Sequence, residues 1–189
     1  MKKIAILASG NGSNAENIIR HFQNHINIKI VLVGSNNNKA KVLKRVKKYN
    51  IPTFVFSKED LNSTRLLTEL NKKKVNFIVL AGFLLKIPLH ILKKYKKKII
   101  NIHPSLLPLY GGKGMYGTRV HEKVVENKEK ETGITIHLVN DEYDAGKIIF
   151  QAKCPLATST TVKRLAKKVH ELEMKFYPKI IENILNENN

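Results

Sequence analysis

Asn101 and His103 are the residues whose types and spacing point most clearly to chemistry in this sequence. They stand two positions apart in a short apolar run that ends at Pro104, so in a β-strand both side chains point to the same face. An amide and an imidazole side by side can hydrogen-bond one developing oxyanion, and an imidazole also exchanges a proton near neutral pH. A lone histidine is usually structural, but this pairing at a strand end predicts a catalytic function.

The acidic segment Asp141–Gly146 offers candidate partners for this histidine. A carboxylate within about 4–6 Å of an imidazole favours its charged form and raises its pKa. Taken alone, the segment is more typical of an acidic hairpin turn. The residues by themselves therefore leave open whether one of these carboxylates contacts His103.

A second candidate site is the segment Ser9–Asn14, which lies between the first predicted strand and the first predicted helix. Glycines let the backbone approach a ligand, and the N–H groups and positive dipole end of a helix N-terminus bind phosphate. The segment lacks the G-x-G-x-x-G spacing of dinucleotide-binding folds, and no acidic residue ends the second predicted strand. We predict a phosphate-binding loop, and the alternative is an ordinary glycine-rich turn.

The elements that must position these residues alternate between short β-branched runs and longer helix-period stretches. This alternation predicts an α/β fold with an open, mostly parallel twisted sheet, helices on both faces, and a single domain over residues 1–189. Strands are predicted over residues 3–8, 28–34, 52–56, 77–81, 99–102, 134–139 and 148–152. Helices are predicted over residues 14–24, 40–49, from a cap at Ser57 or Ser63 to Lys73, and over residues 88–94, 120–126 and 160–185.

The charge of the chain is the feature that favours a different class of protein. The formal net charge is +19 over 189 residues, which is typical of nucleic-acid-binding proteins. Yet only five of the 34 basic residues are Arg, the residue preferred for phosphate and base contacts, and Trp is absent. We therefore interpret most lysines as solvated, and keep an RNA-binding protein as the alternative.

The remaining composition narrows the class further. A hydrophobic fraction of 42% is typical of a globular protein, and no apolar run approaches the roughly 20 residues that cross a bilayer. Cys154 is the only cysteine, so no internal disulfide forms, and we expect a cytoplasmic protein. No set of Cys and His residues has the spacing of a zinc site, so we expect no metal.

Several segments, taken in order, resemble the glycinamide ribonucleotide formyltransferase family of folate-dependent enzymes, which has a Rossmann-like fold. Ser9–Asn14 resembles the phosphate loop of that family, Ala81–Ile87 its folate-binding segment, and Asn101–Pro108 its active-site motif. Asp144 stands where the family has its catalytic aspartate, and Glu173 where it binds the ribose. The resemblance covers nearly the whole chain.

The resemblance implies transfer of the formyl group of 10-formyltetrahydrofolate to the amine of glycinamide ribonucleotide, without a metal. Asn101 and protonated His103 would stabilise the tetrahedral oxyanion. Asp144 would raise the pKa of His103 and help to relay a proton to the folate nitrogen that leaves. The implied partners are small molecules rather than nucleic acid or membrane, and the chain would be a monomer or a homodimer.

The resemblance also implies two sets of binding residues. The set for the ribonucleotide is Gly12, Ser13, Asn14, Gly82, Ile102 and Glu173. The set for the folate is Leu84, Leu85, Lys86, Ile87, Asn101, Arg65, Val139 and Asp141. Two positions depart from the family pattern, because Leu85 stands where an Arg is often found and the Arg of the third helix aligns with Ser63 or, with a shift, Arg65.

Two other classes of enzyme share the formyl-transfer core. Methionyl-tRNA formyltransferases carry a C-terminal β-barrel, and formyltetrahydrofolate deformylases carry an N-terminal regulatory domain. We expect neither addition here, because the first strand is predicted to begin at Lys3 and few residues follow Pro178. Neither class is expected to carry the Ser9–Asn14 motif, so we favour the ribonucleotide enzyme.

Overall fold

The structure, a computed structural model, describes residues 1–187. Its strands form a seven-stranded sheet in the order β3-β2-β1-β4-β5-β6-β7. The strands are β1 Lys2–Leu7, β2 Ile28–Ser35, β3 Thr53–Val55, β4 Phe77–Leu80, β5 Ile99–His103, β6 Glu131–Leu138 and β7 Ile148–Pro155. The helices are α1 Ser13–Phe22, α2 Lys41–Arg45, α3 Lys58–Asn62, α4 Arg65–Lys72, α5 Leu89–Lys94, α6 Thr118–Glu126 and α7 Val162–Glu187.

The chain divides into two compact units, Met1–Ile100 and Asn101–Asn189, which we call the amino-terminal and carboxy-terminal units. The single domain over residues 1–189 stays a prediction. No helix within residues 1–187 is long and apolar enough to cross a bilayer.

The amino-terminal unit is built on parallel strand pairs. β1 pairs in parallel with β2 and with β4, and β2 pairs in parallel with β3. The residues Ile4–Leu7 of β1 and all of β4 are buried, as expected of strands covered on both faces. The apolar face of α1 is buried as well and consists of Ala15, Ile18, Ile19 and Phe22.

The carboxy-terminal unit contains the antiparallel part of the sheet. β6 and β7 pair antiparallel, with Glu131 opposite Pro155. The long helix α7 contacts α6, β6 and β7 and buries a stripe of residues that includes Leu165, Tyr177 and Ile181. The open, mostly parallel α/β sheet predicted from the sequence is confirmed.

The helix predicted over residues 40–49 is shorter than expected. α2 ends at Arg45, and a single 3-10 turn follows at Lys47–Tyr49 before Asn50 reverses the chain with a φ of 55°. A short helix is stabilised mainly by packing of its apolar face, and none of the residues of the 3-10 turn is fully buried. The helical pattern in the sequence therefore runs past the point where packing supports it.

The helix predicted up to Lys73 is two helices. Ser57 begins α3 with a capping box, in which its hydroxyl accepts from the Asp60 N–H and the Asp60 carboxylate accepts from the Ser57 N–H. Ser63 is extended, and its hydroxyl bonds the backbone of Asp60 and of Arg65. A serine that binds the backbone in this way competes with helical hydrogen bonds, so it separates α3 from α4.

Candidate active site

The predicted catalytic pair lies at the carboxyl end of β5. This strand extends one residue further than predicted and ends at His103, so Asn101 and His103 occupy alternate strand positions on one face. His103 is 3% exposed, and Asn101 is half-buried. The imidazole is therefore a buried group whose contacts with its neighbours determine its chemistry.

Asp144 brings the predicted catalytic residues together within the carboxy-terminal unit. It lies between β6 and β7 in the left-handed conformation, with a φ of 55°. Its Oδ2 lies 3.4 Å from Nδ1 of His103 and accepts a hydrogen bond of 3.0 Å from the Gly112 N–H. Its Oδ1 lies 3.4 Å from Nδ2 of Asn101.

His137 also belongs to this cluster, although it was not predicted as a site residue. Its Nε2 lies 3.2 Å from Nδ2 of Asn101 and 3.5 Å from Oδ1 of Asp144. Its Nδ1 lies 2.9 Å from the Leu138 carbonyl oxygen, which only accepts, so Nδ1–H donates there and Nε2 is the ring nitrogen that faces Asn101 and Asp144. The available signal was a histidine on a strand that leads directly into the acidic segment.

The contacts of His103 fix which ring nitrogen exchanges protons. Nε2 lies 2.7 Å from the Tyr110 carbonyl oxygen, so Nε2–H donates and Nδ1 is the atom that gains and loses a proton. Tyr110 is held in turn by its side chain, whose hydroxyl donates to Glu129 at 2.5 Å and accepts from Asn127 at 2.7 Å. The loop after β5 thus orients the imidazole through its backbone.

The ionisation of the cluster differs from the sequence expectation. Burial lowers the pKa of His103 below its ordinary value, although Asp144 and the Tyr110 carbonyl act in the opposite direction. The expected effect of Asp144 on this pKa is present, but burial outweighs it. Burial raises the pKa of Asp144, yet His137, His103 and the Gly112 N–H together hold it below its ordinary value.

The predicted phosphate loop opens α1 in the amino-terminal unit. Gly12 is the N-cap residue, with a φ of 78°, and it has no side chain that could cover the first-turn N–H groups of Ser13 and Asn14. A β-carbon at Gly12 would lie 2.5 Å from the Val42 side chain. Glycine is therefore required here both by backbone conformation and by space.

Ser9 connects this loop to the predicted folate segment. Its N–H donates to the Gly82 carbonyl at 2.9 Å, and its hydroxyl accepts from the Leu84 N–H at 3.0 Å. The hydroxyl donates in turn to Oδ1 of Asn36 at 2.6 Å. Ser9 thus brings Gly82 and Leu84 to the base of the loop. The sequence predicted Ser9 only as part of the Ser9–Asn14 motif.

The other predicted binding residues lie in both units. Arg65 is exposed and pairs with Asp60 at 3.0 Å, with its guanidinium over the Phe54 ring. Glu173 lies on α7, where Oε2 is 3.2 Å from Nδ1 of His170. The rest are the exposed Leu84, Lys86 and Asp141, the half-buried Leu85 and Val139, and the buried Ile87 and Ile102.

Within residues 1–187, no group of three or more His, Cys, Asp or Glu side chains is placed to hold a metal ion.

Comparison with protein families and known sequences gives consistent matches. The model of the formyl transferase family matches residues 2–181. The chain is 34% identical to phosphoribosylglycinamide formyltransferase of Bacillus subtilis, over 100% of this chain and 97% of the relative. It is 37% identical to the chloroplastic phosphoribosylglycinamide formyltransferase of Arabidopsis thaliana, over 98% of this chain and 66% of the relative. The chain thus spans about two thirds of the plant relatives, with 62% in Vigna unguiculata.

Solved structures give the same match. The fold superimposes on phosphoribosylglycinamide formyltransferase of Bacillus halodurans with a TM-score of 0.89 and 31% identity, over 100% of this chain and 97% of that one. The enzyme of Anaplasma phagocytophilum matches with a TM-score of 0.87 and 36% identity, over 95% of this chain and 84% of that one.

Proposed function

This chain belongs to the formyl transferase family, and on that premise we propose that it transfers the formyl group of 10-formyltetrahydrofolate to the amine of glycinamide ribonucleotide. The products are formylglycinamide ribonucleotide and tetrahydrofolate, and the reaction belongs to purine biosynthesis. The observation that carries the proposal is the cluster of Asn101, His103 and Asp144, in which both other side chains lie 3.4 Å from the carboxylate. An amide donor, an imidazole and a carboxylate are the groups that formyl transfer through a tetrahedral oxyanion requires.

Asn101 donates the hydrogen bond that stabilises the oxyanion. Its amide nitrogen has two hydrogens, directed at Nε2 of His137 at 3.2 Å and at Oδ1 of Asp144 at 3.4 Å. The bond to Asp144 is long and weak, so the same N–H can also donate to a developing oxyanion that lies near the amide plane. The bond to His137 keeps the amide plane in place while this happens.

His103 carries the proton between the two nitrogens that react. When the amine attacks the formyl carbon, the oxygen gains negative charge and the amine nitrogen becomes positive. Neutral Nδ1 of His103 accepts the proton from that nitrogen, directly or through water, and returns a proton to the folate nitrogen as its bond to the formyl carbon breaks. Asp144 stabilises the transient imidazolium from 3.4 Å.

The phosphate loop holds the ribonucleotide by its phosphate. The first-turn N–H groups of Ser13 and Asn14 and the positive end of α1 supply the binding energy. Glu173 accepts hydrogen bonds from the ribose hydroxyls, and the other members of the two binding sets keep the functions that the resemblance implies. Holding both substrates side by side supplies much of the acceleration.

The family uses a folate-derived formyl donor, which is a substrate of the reaction. We assign 10-formyltetrahydrofolate as the specific donor. We further propose a monomer or homodimer in the cytoplasm, with no nucleic-acid or membrane partner. The scarcity of Arg and the single cysteine support these assignments.

A direct assay tests this function. Purified protein is incubated with 10-formyltetrahydrofolate, with and without glycinamide ribonucleotide, and both tetrahydrofolate and formate are measured. We expect tetrahydrofolate only when the ribonucleotide is present, and no formate. Formate release without the ribonucleotide would identify a deformylase instead, and no tetrahydrofolate in either mixture would reject formyl transfer.

A further inference from the structure

Arg45 of α2 links the phosphate loop to the first turn of α1. Its Nε donates to the Asn11 carbonyl at 3.1 Å, and its Nη2 donates to Oδ1 of the Asn11 side chain at 3.0 Å. Its Nη1 donates to Oε2 of Glu16 at 2.6 Å. One planar guanidinium therefore bonds the residue before Gly12 and a residue in the first turn of α1.

Glu16 places a negative charge in the first turn of α1, the helix end proposed to bind phosphate. A carboxylate in the first turn of a helix is attracted to the same positive dipole end that attracts a phosphate, and it repels the phosphate itself. The Glu16 side chain is 12% exposed and accepts from Arg45 and from Lys48, each at 2.6 Å. The bonds from Lys48 and Arg45 lower the pKa of Glu16 to about 2, so its negative charge is permanent near neutral pH.

The rest of α2 supports the same loop. Val42 is three residues before Arg45, so both side chains lie on one face of the helix. The Val42 N–H donates to the Gly10 carbonyl at 3.1 Å, and its side chain occupies the space next to Gly12. This face of α2 contacts the loop at Gly10, Asn11 and Gly12 in turn.

We propose that Arg45 is a positioning residue for ribonucleotide binding: it neutralises Glu16 and fixes Asn11, so that the N-terminus of α1 presents positive charge to the substrate phosphate. The proposal rests on the function proposed above. A lysine would supply the charge but not the forked donors that reach Asn11 and Glu16 together. Lys48 is 64% exposed and pairs with Glu16, so it shares the neutralisation, whereas the bonds to Asn11 come from Arg45.

Steady-state kinetics of Arg45→Gln test this proposal. We expect the KM for the ribonucleotide to rise about fivefold, while kcat and the KM for the formyl donor stay within about twofold, because only the phosphate environment changes. Adding Glu16→Gln to Arg45→Gln removes the negative charge that Arg45 no longer neutralises, so most of the lost affinity returns. Arg45→Lys keeps the charge and is expected to lie between the wild type and Arg45→Gln.

The matched control is Lys44→Gln, which removes one positive charge from an exposed position of the same helix. We expect its KM for the ribonucleotide to equal that of the wild type. An equal rise in Lys44→Gln, an unchanged KM in Arg45→Gln, or a double variant as weak as the single one would overturn the proposal. If Arg45→Gln does not fold, Arg45→Lys takes its place. A KM for the ribonucleotide above that of the wild type supports the proposal, and an unchanged KM overturns it. A wild type that forms no tetrahydrofolate rejects the proposed function itself, whereas an active wild type with these kinetic outcomes rejects only the positioning by Arg45.

Discussion

The predicted phosphate loop is built from the backbone of one short segment, whereas the His103 cluster is built from side chains of several segments. The loop uses backbone: a glycine with a φ of 78° and the first-turn N–H groups of α1, all within a few consecutive residues. The cluster uses side chains from β5, from β6 and from the segment that follows β6. In the proposed function, the charged groups near the loop support the binding of phosphate from behind, whereas the titratable groups of the cluster are themselves the reacting groups.

This difference predicts which kinetic parameter a substitution in each region changes. If the proposed function is right, changes in the loop alter how tightly the substrate phosphate is held, and saturating substrate can overcome them. Changes in the cluster alter the proton transfer and the stabilisation of the oxyanion, which no substrate concentration restores. The four predictions below test this division, beginning with the largest effect.

Removing a proton-carrying group is expected to have the largest effect. In His103→Ala and in Asp144→Asn we expect kcat to fall by about a hundredfold or more, because the first loses the proton carrier and the second loses the charge that stabilises the imidazolium. Stopped assays at saturating substrates measure kcat, and circular dichroism checks the fold. Turnover near that of the wild type in either folded variant would reject the assigned roles.

A negative charge in the loop is expected to affect binding instead. Ser13→Asp places a carboxylate at the first residue of α1, and we expect the KM for the ribonucleotide to rise about tenfold with little change in kcat. Ser13→Ala serves as the uncharged control and is expected to change KM much less. An unchanged KM in Ser13→Asp would mean that the phosphate binds elsewhere.

His137 is expected to have a smaller effect on turnover. In His137→Gln the amide of Asn101 keeps a possible acceptor, but Asp144 loses a contact at 3.5 Å. We expect kcat to fall severalfold, by less than in His103→Ala, with the KM for the ribonucleotide unchanged. A fall as large as in His103→Ala would show that the reaction needs His137 as much as His103, and would contradict the supporting role assigned to His137.

The smallest effect is a shift of the pH profile. Since the mechanism begins with neutral His103, kcat is expected to fall as the pH drops through the pKa of His103, which burial places below its ordinary value. Asp144 raises this pKa, so in Asp144→Asn the acid limb should move to lower pH, while in Ser13→Asp it should stay in place. A profile that falls instead on the alkaline side would show that protonated His103 is the active form.

The sequence was sufficient for the features that lie close together in the chain. Ser9–Asn14 and Asn101–His103 were found from their spacing, and β4 from its continuous apolar run. Features set by packing between distant segments were missed. His137 is recognisable as a cluster member only beside Asp144, the 3-10 turn after α2 contains no buried residue, and the net effect on the pKa of His103 depends on how deeply it is buried.

The division between binding and chemistry is tested most directly by measuring formylglycinamide ribonucleotide formation by the wild type, Ser13→Asp and His103→Ala as the ribonucleotide is raised to saturation. We predict that Ser13→Asp approaches the wild-type rate at high ribonucleotide, whereas His103→Ala stays lower by about a hundredfold or more at every concentration. If saturation restores His103→Ala, or fails to restore Ser13→Asp, the two regions do not divide the work as described. If the wild type forms no product, the proposed reaction is wrong.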